Sequence, residues 1–332
     1  MNSKILFVIA IIISCFCYSQ EQAIKINGEA QGTTYHITYF DKENRDFQPE
    51  IEKILQDFDM SVSTYEPNSI ISKINKNKPV KIDKYFKTCF LKAKEVWKNT
   101  NGAFDPTVYS LVNAYGFGPG KKMKIEKTKI DSLMKFVGFD LINLKGNRII
   151  KKDPRVGLDF NAFAQGYSVD VISDFLNSKG ISSYLVEIGG EVYGKGRKPD
   201  GTNWKVGIEK PIENKLTENP LKAMVTLENL AVSTSGNYRK YTVIDGVKYT
   251  HHLDPKTGYP TKNNLLSASL FAKDCITTDA NATGILVLGL EKAKVFLQNH
   301  PEIQAYLIYS DEKGNYQVYE TEGIKKLITE VE

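Results

Sequence analysis

Two adjoining stretches decide the fold: AFAQGYSVDVISDFLNSKG (residues 162–180) and YLVEIGGEVY (residues 184–193). In the first, Val169, Val171, Ile172, Phe175 and Leu176 follow helical spacing from a start near Ala162, and Gly180 stands where the helix stops. In the second, Tyr184 to Ile188 reads as a buried strand. Gly189-Gly190 turns it back through Val192-Tyr193 as a hairpin. Outward from this centre, Tyr35 to Tyr39 alternates as a strand, Ile51 to Phe58 has helical spacing, and a helix runs from about Lys84 to Lys98. Downstream, Lys205 to Ile208, Ala223 to Leu227 and Ala231 to Ser233 read as strands. Helices from about Thr278 to Leu288 and from Glu291 to Asn299 follow, and strands Ala305–Tyr309 and Tyr316–Tyr319 close the chain. Strands and helices intersperse without strict strand–helix–strand repetition, which predicts an α+β fold. The polar stretch Pro211 to Pro220 reads as a surface loop.

At 332 residues the chain has room for one large or two medium domains. A net charge of +5, spread over short blocks such as Lys121-Lys122-Met123-Lys124, gives no nucleic-acid-binding stripe. Residues 1–20 read as an export signal. Lys4 precedes the apolar run Ile5 to Ile13, and nine such residues rise only ~14 Å as a helix, too short to span a membrane. Ile12-Ile13-Ser14-Cys15 also fits a bacterial lipobox, with Cys15 as the lipidated residue; the alternative is ordinary cleavage near Ser19-Gln20. The protein is expected to be exported and periplasmic, tethered to a membrane if Cys15 is lipidated. Residues 21–332 are read as one domain. Its remaining cysteines, Cys89 and Cys275, lie in apolar contexts that favour buried thiols over a disulfide.

Several chemistries are missing. There is no dinucleotide G-x-G-x-x-G, no phosphate loop, no G-x-S-x-G elbow, no H-E-x-x-H and no C-x-x-C. With four histidines in the chain, a catalytic metal would be a hard ion held by oxygens, Mg²⁺ or Ca²⁺. Asp279 and Thr283 are i and i+4 on a helix, so both oxygens face one way and can ligate Mg²⁺; the structural alternative is a helix start that Asp279 caps. His251 and His252 sit in a rigid loop, Thr250 to Pro260, where a histidine can accept a proton or simply pack. Asp159 precedes a helix with a small-residue first turn, open to a ligand or capped in the ordinary way. Turns at Asn101 to Thr107 and Val232 to Arg239 add a carboxylate and small polar residues.

Taken in order, these segments resemble the ApbE family, the FAD:protein FMN transferases. The matching pieces are Gly32 to Tyr35, Ser63-Thr64-Tyr65 with Ser69 and Asn75, Gly102 to Val108, Tyr115 to Gly118, and Leu158-Asp159 with Gly166-Tyr167. They continue through Glu187 to Glu191, Thr234 to Gly236, His251 with Asp254 to Gly258, and Asp279 with Thr283. They span about residues 28 to 290.

The resemblance implies a single domain with a mixed or antiparallel sheet flanked by helices. It implies Mg²⁺-dependent cleavage of the FAD pyrophosphate and transfer of FMN through a phosphoester to a Ser or Thr of an acceptor protein, with AMP leaving. Acceptors would be membrane redox subunits or exported flavin modules. By motif position, Asp279, Thr283 and the carbonyl of Ala162 would hold Mg²⁺. Gln31, Tyr65, Ala103, Phe104, Asp105, Asp159, Gln165 and Leu253 would line the FAD site, and His251 would be the base. Two departures stand out. Gln165 replaces a frequent Lys and removes a cation near the pyrophosphate, which makes FAD affinity lean more on Mg²⁺. Asn161-Ala162 replaces a small, Gly-containing pair. The rival readings are a Mg²⁺-dependent FAD pyrophosphatase, which would use water as nucleophile, and an exported flavin-binding protein.

Overall fold

The computed structural model describes residues 22–211, 221–237, 241–244 and 247–331. The expected export signal at 1–20, with Cys15, and nearly all of the expected surface loop at 211–220 lie outside these residues. In chain order the elements are β1 (Ala23–Ala30), β2 (Thr33–Phe40), α1 (Gln48–Val62), α2 (Ile70–Asn75), α3 (Lys84–Asn99), α4 (Tyr109–Tyr115) and α5 (Lys127–Met134). Next come β3 (Ile142–Lys145), β4 (Arg148–Lys151), α6 (Ala164–Ser178), β5 (Tyr184–Ile188), β6 (Glu191–Lys195), β7 (Trp204–Glu209), β8 (Leu221–Leu227) and β9 (Leu230–Gly236). The rest are β10 (Tyr241–Ile244), β11 (Val247–Thr250), β12 (Leu265–Ala272), α7 (Cys275–Leu288), α8 (Leu290–Asn299), β13 (Gln304–Ser310), β14 (Tyr316–Glu320) and β15 (Ile328–Glu330).

The main sheet has eight strands in the order β1-β2-β5-β6-β9-β12-β13-β14. Every neighbouring pair is antiparallel, so the α+β expectation holds with an antiparallel sheet. Side chains alternate across its strands. Tyr184, Val186 and Ile188 of β5 face α1 and α6, together with Ile51, Leu55, Val169, Ile172 and Leu176. Leu185, Val192, Val232, Phe271, Tyr306 and Ile308 face the other way, against the small sheet β15-β8-β7. The hairpin expected at Gly189-Gly190 is β5–β6, paired from Ile188–Glu191 to Tyr184–Lys195.

Helix α7 runs through the middle. Cys275, Ile276, Thr278, Asp279, Ala280, Asn281, Ala282, Gly284, Ile285 and Leu286 are buried, so it is covered nearly all round. It begins at Cys275, three residues before the expected start, because the Asp274 side chain caps it by accepting the Thr277 N–H at 3.0 Å. Asp279 is therefore a second-turn residue of α7 and not that helix's own cap. Helix α6 begins at Ala164, two residues later than expected, and the residue before it supplies no side-chain cap. Cys89 and Cys275 are buried free thiols. Among the described residues no helix is long and apolar enough to cross a membrane.

Candidate active site

A cavity of about 840 Å³ opens where the N-terminal end of α6, the middle of α7, the β1–β2 turn and the end of α1 meet. That lies within the ~300–1,000 Å³ range of small-molecule sites. Gln31, Tyr65, Ala103, Phe104, Asp105, Asp159, Ala162, Gln165, His251, Leu253, Asp279 and Thr283 all line it, so every residue singled out in the sequence reaches one place.

The oxygen cluster comes from packing α6 against α7. Gly166 permits the approach: a Cβ there would lie 2.5 Å from the Cys275 carbonyl oxygen and 2.7 Å from the Asp279 Cβ. The Gly166 N–H, an orphan donor of the first helical turn, donates to Asp279 Oδ2 at 2.9 Å. Asp279 thus caps α6 from 113 residues away. One turn along α7, Thr283 Oγ1 donates to the Ala162 carbonyl at 3.3 Å and sits 3.4 Å from Ser235 Oγ. A carboxylate, a hydroxyl and a carbonyl are gathered here, the hard donors that Mg²⁺ or Ca²⁺ takes. Among the described residues no group of three or more His, Cys, Asp or Glu forms a metal cluster, so a cation here would rest on this mixed set.

Asp159 is 6 % exposed. Its Oδ1 accepts the Asn161 N–H at 2.8 Å, whereas Oδ2 has no partner in the protein. Burial pushes its pKa up to about 6, against the lowering effect of the Asn161 amide. Asn75 clamps the backbone just before it, exchanging hydrogen bonds of 2.8 Å with both the N–H and the carbonyl of Leu158. Asp105 is different. Its Oδ1 accepts the Thr107 N–H at 2.8 Å and the Thr107 hydroxyl at 2.6 Å, and its Oδ2 accepts the Phe139 N–H at 3.0 Å. That carboxylate builds the turn that carries Ala103 and Phe104 to the cavity.

Gln31 holds φ 55° in the β1–β2 turn; its Oε1 accepts from Ser168 Oγ at 3.3 Å and its buried Nε2 has no protein partner. Gln165 lies under the β5–β6 turn, its Nε2 2.8 Å from where a Cβ on Gly189 would be. Tyr65 is 57 % exposed, yet its hydroxyl is tied to the Phe117 carbonyl at 3.0 Å. Phe117 meets the His251 ring edge-on at 6.3 Å. His251 is half-buried, and His252, its ring tilted against it with centroids 3.9 Å apart, is buried. Leu253 bridges to Pro260, and Asp254 closes the loop by accepting the Gly258 N–H on its carbonyl and the Lys256 N–H on its side chain.

Sequence reasoning missed Asp59, Glu66 and Asn161 as lining residues. Burial pushes Asp59 up to about 6, with Glu66 adding to the shift. With Asp105, Asp159, Glu191 and Asp279 these make six acidic residues on the wall, and among the described residues no Lys or Arg lines it.

The ApbE family model matches residues 31–307. The chain belongs to the ApbE family. Within the family, it is 33% identical over 326 residues to the FAD:protein FMN transferase of Haemophilus influenzae, covering 94% of this chain and 93% of that protein. It is 30% identical over 338 residues to the FAD:protein FMN transferase of Vibrio cholerae, covering 99% of this chain and all of that one. The structure of the V. cholerae flavin transferase ApbE superposes with a TM-score of 0.83 at 31% identity, over 92% of this chain and 99% of that chain. The apo flavinyl transferase ApbE of Pseudomonas stutzeri gives 0.82 at 30% identity, over 93% and 97%. The ApbE fold thus holds over nearly the full length of both chains.

Proposed function

We propose that the protein is an FAD:protein FMN transferase that works with Mg²⁺ on an exported acceptor. The observation that carries the reading is the meeting of Thr283, its helix-mate Asp279 and the Ala162 carbonyl, 121 residues from Thr283, on the wall of one cavity. These three groups would hold the cation. Bound there, it would neutralise the pyrophosphate oxygens and ease cleavage of the P–O–P bridge.

The chain's own residues do the rest. Tyr65, its ring held by the bond to Phe117, offers a stacking face for an aromatic ring of FAD. Gln31 Nε2 and Asp159 Oδ2, both without protein partners, offer a donor and an acceptor to the dinucleotide. Gln165, Leu253, Ala103, Phe104 and Asp105 form the remaining wall. His251 takes the proton of the acceptor's Ser or Thr hydroxyl. The hydroxyl oxygen bonds to the phosphorus on the riboflavin side, and the bridging oxygen departs with AMP. The reaction lies outside the cytoplasm, as the charged start and apolar run of residues 1–20 suggest. The acceptor is a membrane redox subunit or an exported flavin module. A lipid anchor follows if Cys15 is the processed residue.

The test incubates the mature protein with FAD, Mg²⁺ and candidate acceptors, then weighs the acceptors by mass spectrometry. Gain of one FMN with equimolar AMP is expected, and Asp279→Ala should abolish both. Free FMN and AMP with unmodified acceptors would make the protein a pyrophosphatase. Full turnover by Asp279→Ala would remove the cation assignment.

A further inference from the structure

The two helices that build the oxygen cluster cap each other. Asp279 of α7 accepts the Gly166 N–H in the first turn of α6. One turn further along α6, Asp170 reaches in the opposite direction. Its Oδ1 accepts the Cys275 N–H at 2.7 Å and its Oδ2 the Ile276 N–H at 2.8 Å, the first two amides of α7. Each helix thus ends its own orphan amides on a carboxylate carried by the other. Both oxygens of Asp170 accept a backbone N–H, and these two amides offset part of the rise, to about 8, that burial and the neighbouring Asp274 and Asp174 give its pKa. Between the two caps, Gly166 brings the helices so close that no Cβ fits.

We infer that Asp170 is a positioning residue for the active site: by clamping the first turn of α7 to α6 it fixes the register that sets Asp279 and Thr283 beside the Ala162 carbonyl. Asp170 does not line the cavity, so it acts only through α7. The alternative is an ordinary helix cap whose loss would cost stability and nothing else. Asp274 supplies the comparison. It caps the same helix through the Thr277 N–H, but from the adjoining residue of its own chain segment, so it ties α7 to nothing. The inference rests on the proposed role of Asp279 as cation ligand.

The test measures binding as well as turnover. Mg²⁺ is titrated into Asp170→Asn, Asp170→Ser, Asp274→Ala and Asp279→Ala, each with FAD present, and the cation midpoint is read from quenching of flavin fluorescence and from thermal melting. Asp170→Asn keeps the side-chain shape but offers one acceptor to two amides, and its midpoint should rise ~10–100-fold, the usual cost of losing a group that orients a ligand. Its kcat should recover toward the parent value at saturating Mg²⁺. Asp274→Ala should melt lower with its midpoint unchanged. An unchanged midpoint in Asp170→Asn and Asp170→Ser, or an equal rise in Asp274→Ala, would overturn the inference, as would global unfolding of both Asp170 variants. If Asp279→Ala also keeps its midpoint, the cation assignment has failed, and with it the premise.

Discussion

Asp159 shows how a single side chain can be held against its own chemistry. In the ligand-free protein it is a buried carboxylate with one oxygen satisfied and one left over. Its pKa rises from the ordinary 3.8 to about 6. As pH rises through that window the unfolded chain ionises first and the folded chain resists, so stability falls between about pH 4 and 6. The penalty is absent below the lower value and complete above the upper one. Two units correspond to roughly 3 kcal/mol at most. Asp159→Asn keeps the Asn161 bond and removes the charge. It should raise the unfolding free energy of the ligand-free protein by about 1–3 kcal/mol at pH 7.5, flatten the pH dependence below 6, and weaken FAD binding. Urea melts at pH 4.5 and 7.5, with fluorescence titration of FAD, check it; a variant less stable at pH 7.5, or one that binds FAD equally well, would refute this account. The residue type and position were legible in the sequence. Its environment was not, because Asn75 and Pro106, which hold residues 158 and 159, come from elsewhere in the chain.

At the scale of elements, what could be read was whatever carried a period. Helices α3, α6 and α8 and strands β2, β5 and β13 stand within a few residues of their expected bounds. Strand β12, LLSASLFA, went unread because it is buried on both faces and has no alternation to see. Strand β1 lies at the sheet edge with half its residues exposed, and α2 has only six residues, too few for a periodic signal. The starts of α6 and α7 were each misplaced by two or three residues: α7 starts early on its local Asp274 cap, and first-turn amides of both helices are also bound by side chains more than a hundred residues away. Gly166 is the hinge of that arrangement. Gly166→Ala would drive a methyl into the Cys275 carbonyl, a backbone atom that cannot rotate aside. It should destabilise the fold by about 1–3 kcal/mol and abolish transfer. Gly284→Ala on the other side of α7 meets the buried Thr100 side chain instead, at 2.8 Å, which its hydrogen bonds to Val96 and Phe104 pin, so it should cost stability as well but without parting α6 from α7. The transfer assay should therefore separate the two, and equal losses of transfer would contradict the close-approach argument.

At the scale of the whole molecule, charge distribution matters more than total charge. The chain carries +5 overall, yet its cavity wall is acidic and, among the described residues, lacks Lys and Arg. No reading of net charge could have found this, since Asp59, Glu66, Asp159, Glu191 and Asp279 are gathered from five separate elements and loops. Such a wall repels a pyrophosphate. Among the described residues no Lys or Arg on the wall offsets six acidic residues and a dianion, so a bound cation would supply positive charge there. FAD and divalent cation should therefore bind as a pair, each raising the other's affinity by the same factor, because linkage is reciprocal. Alone, FAD should raise the melting temperature little, and Mg²⁺ alone should raise it modestly. Together, at about a hundred times their dissociation constants, they should stabilise the fold by ~3 kcal/mol or more, a shift larger than the sum of the two taken singly. Replacing Gln165 with Lys should loosen this dependence by supplying a fixed cation beside the β5–β6 turn, so that FAD alone then stabilises measurably. Melting curves with FAD, Mg²⁺, both and neither, on the parent and on Gln165→Lys, decide it. If FAD without metal stabilises the parent as much as FAD with metal, the acidic wall does not govern binding, and the dinucleotide's phosphates must lie away from it.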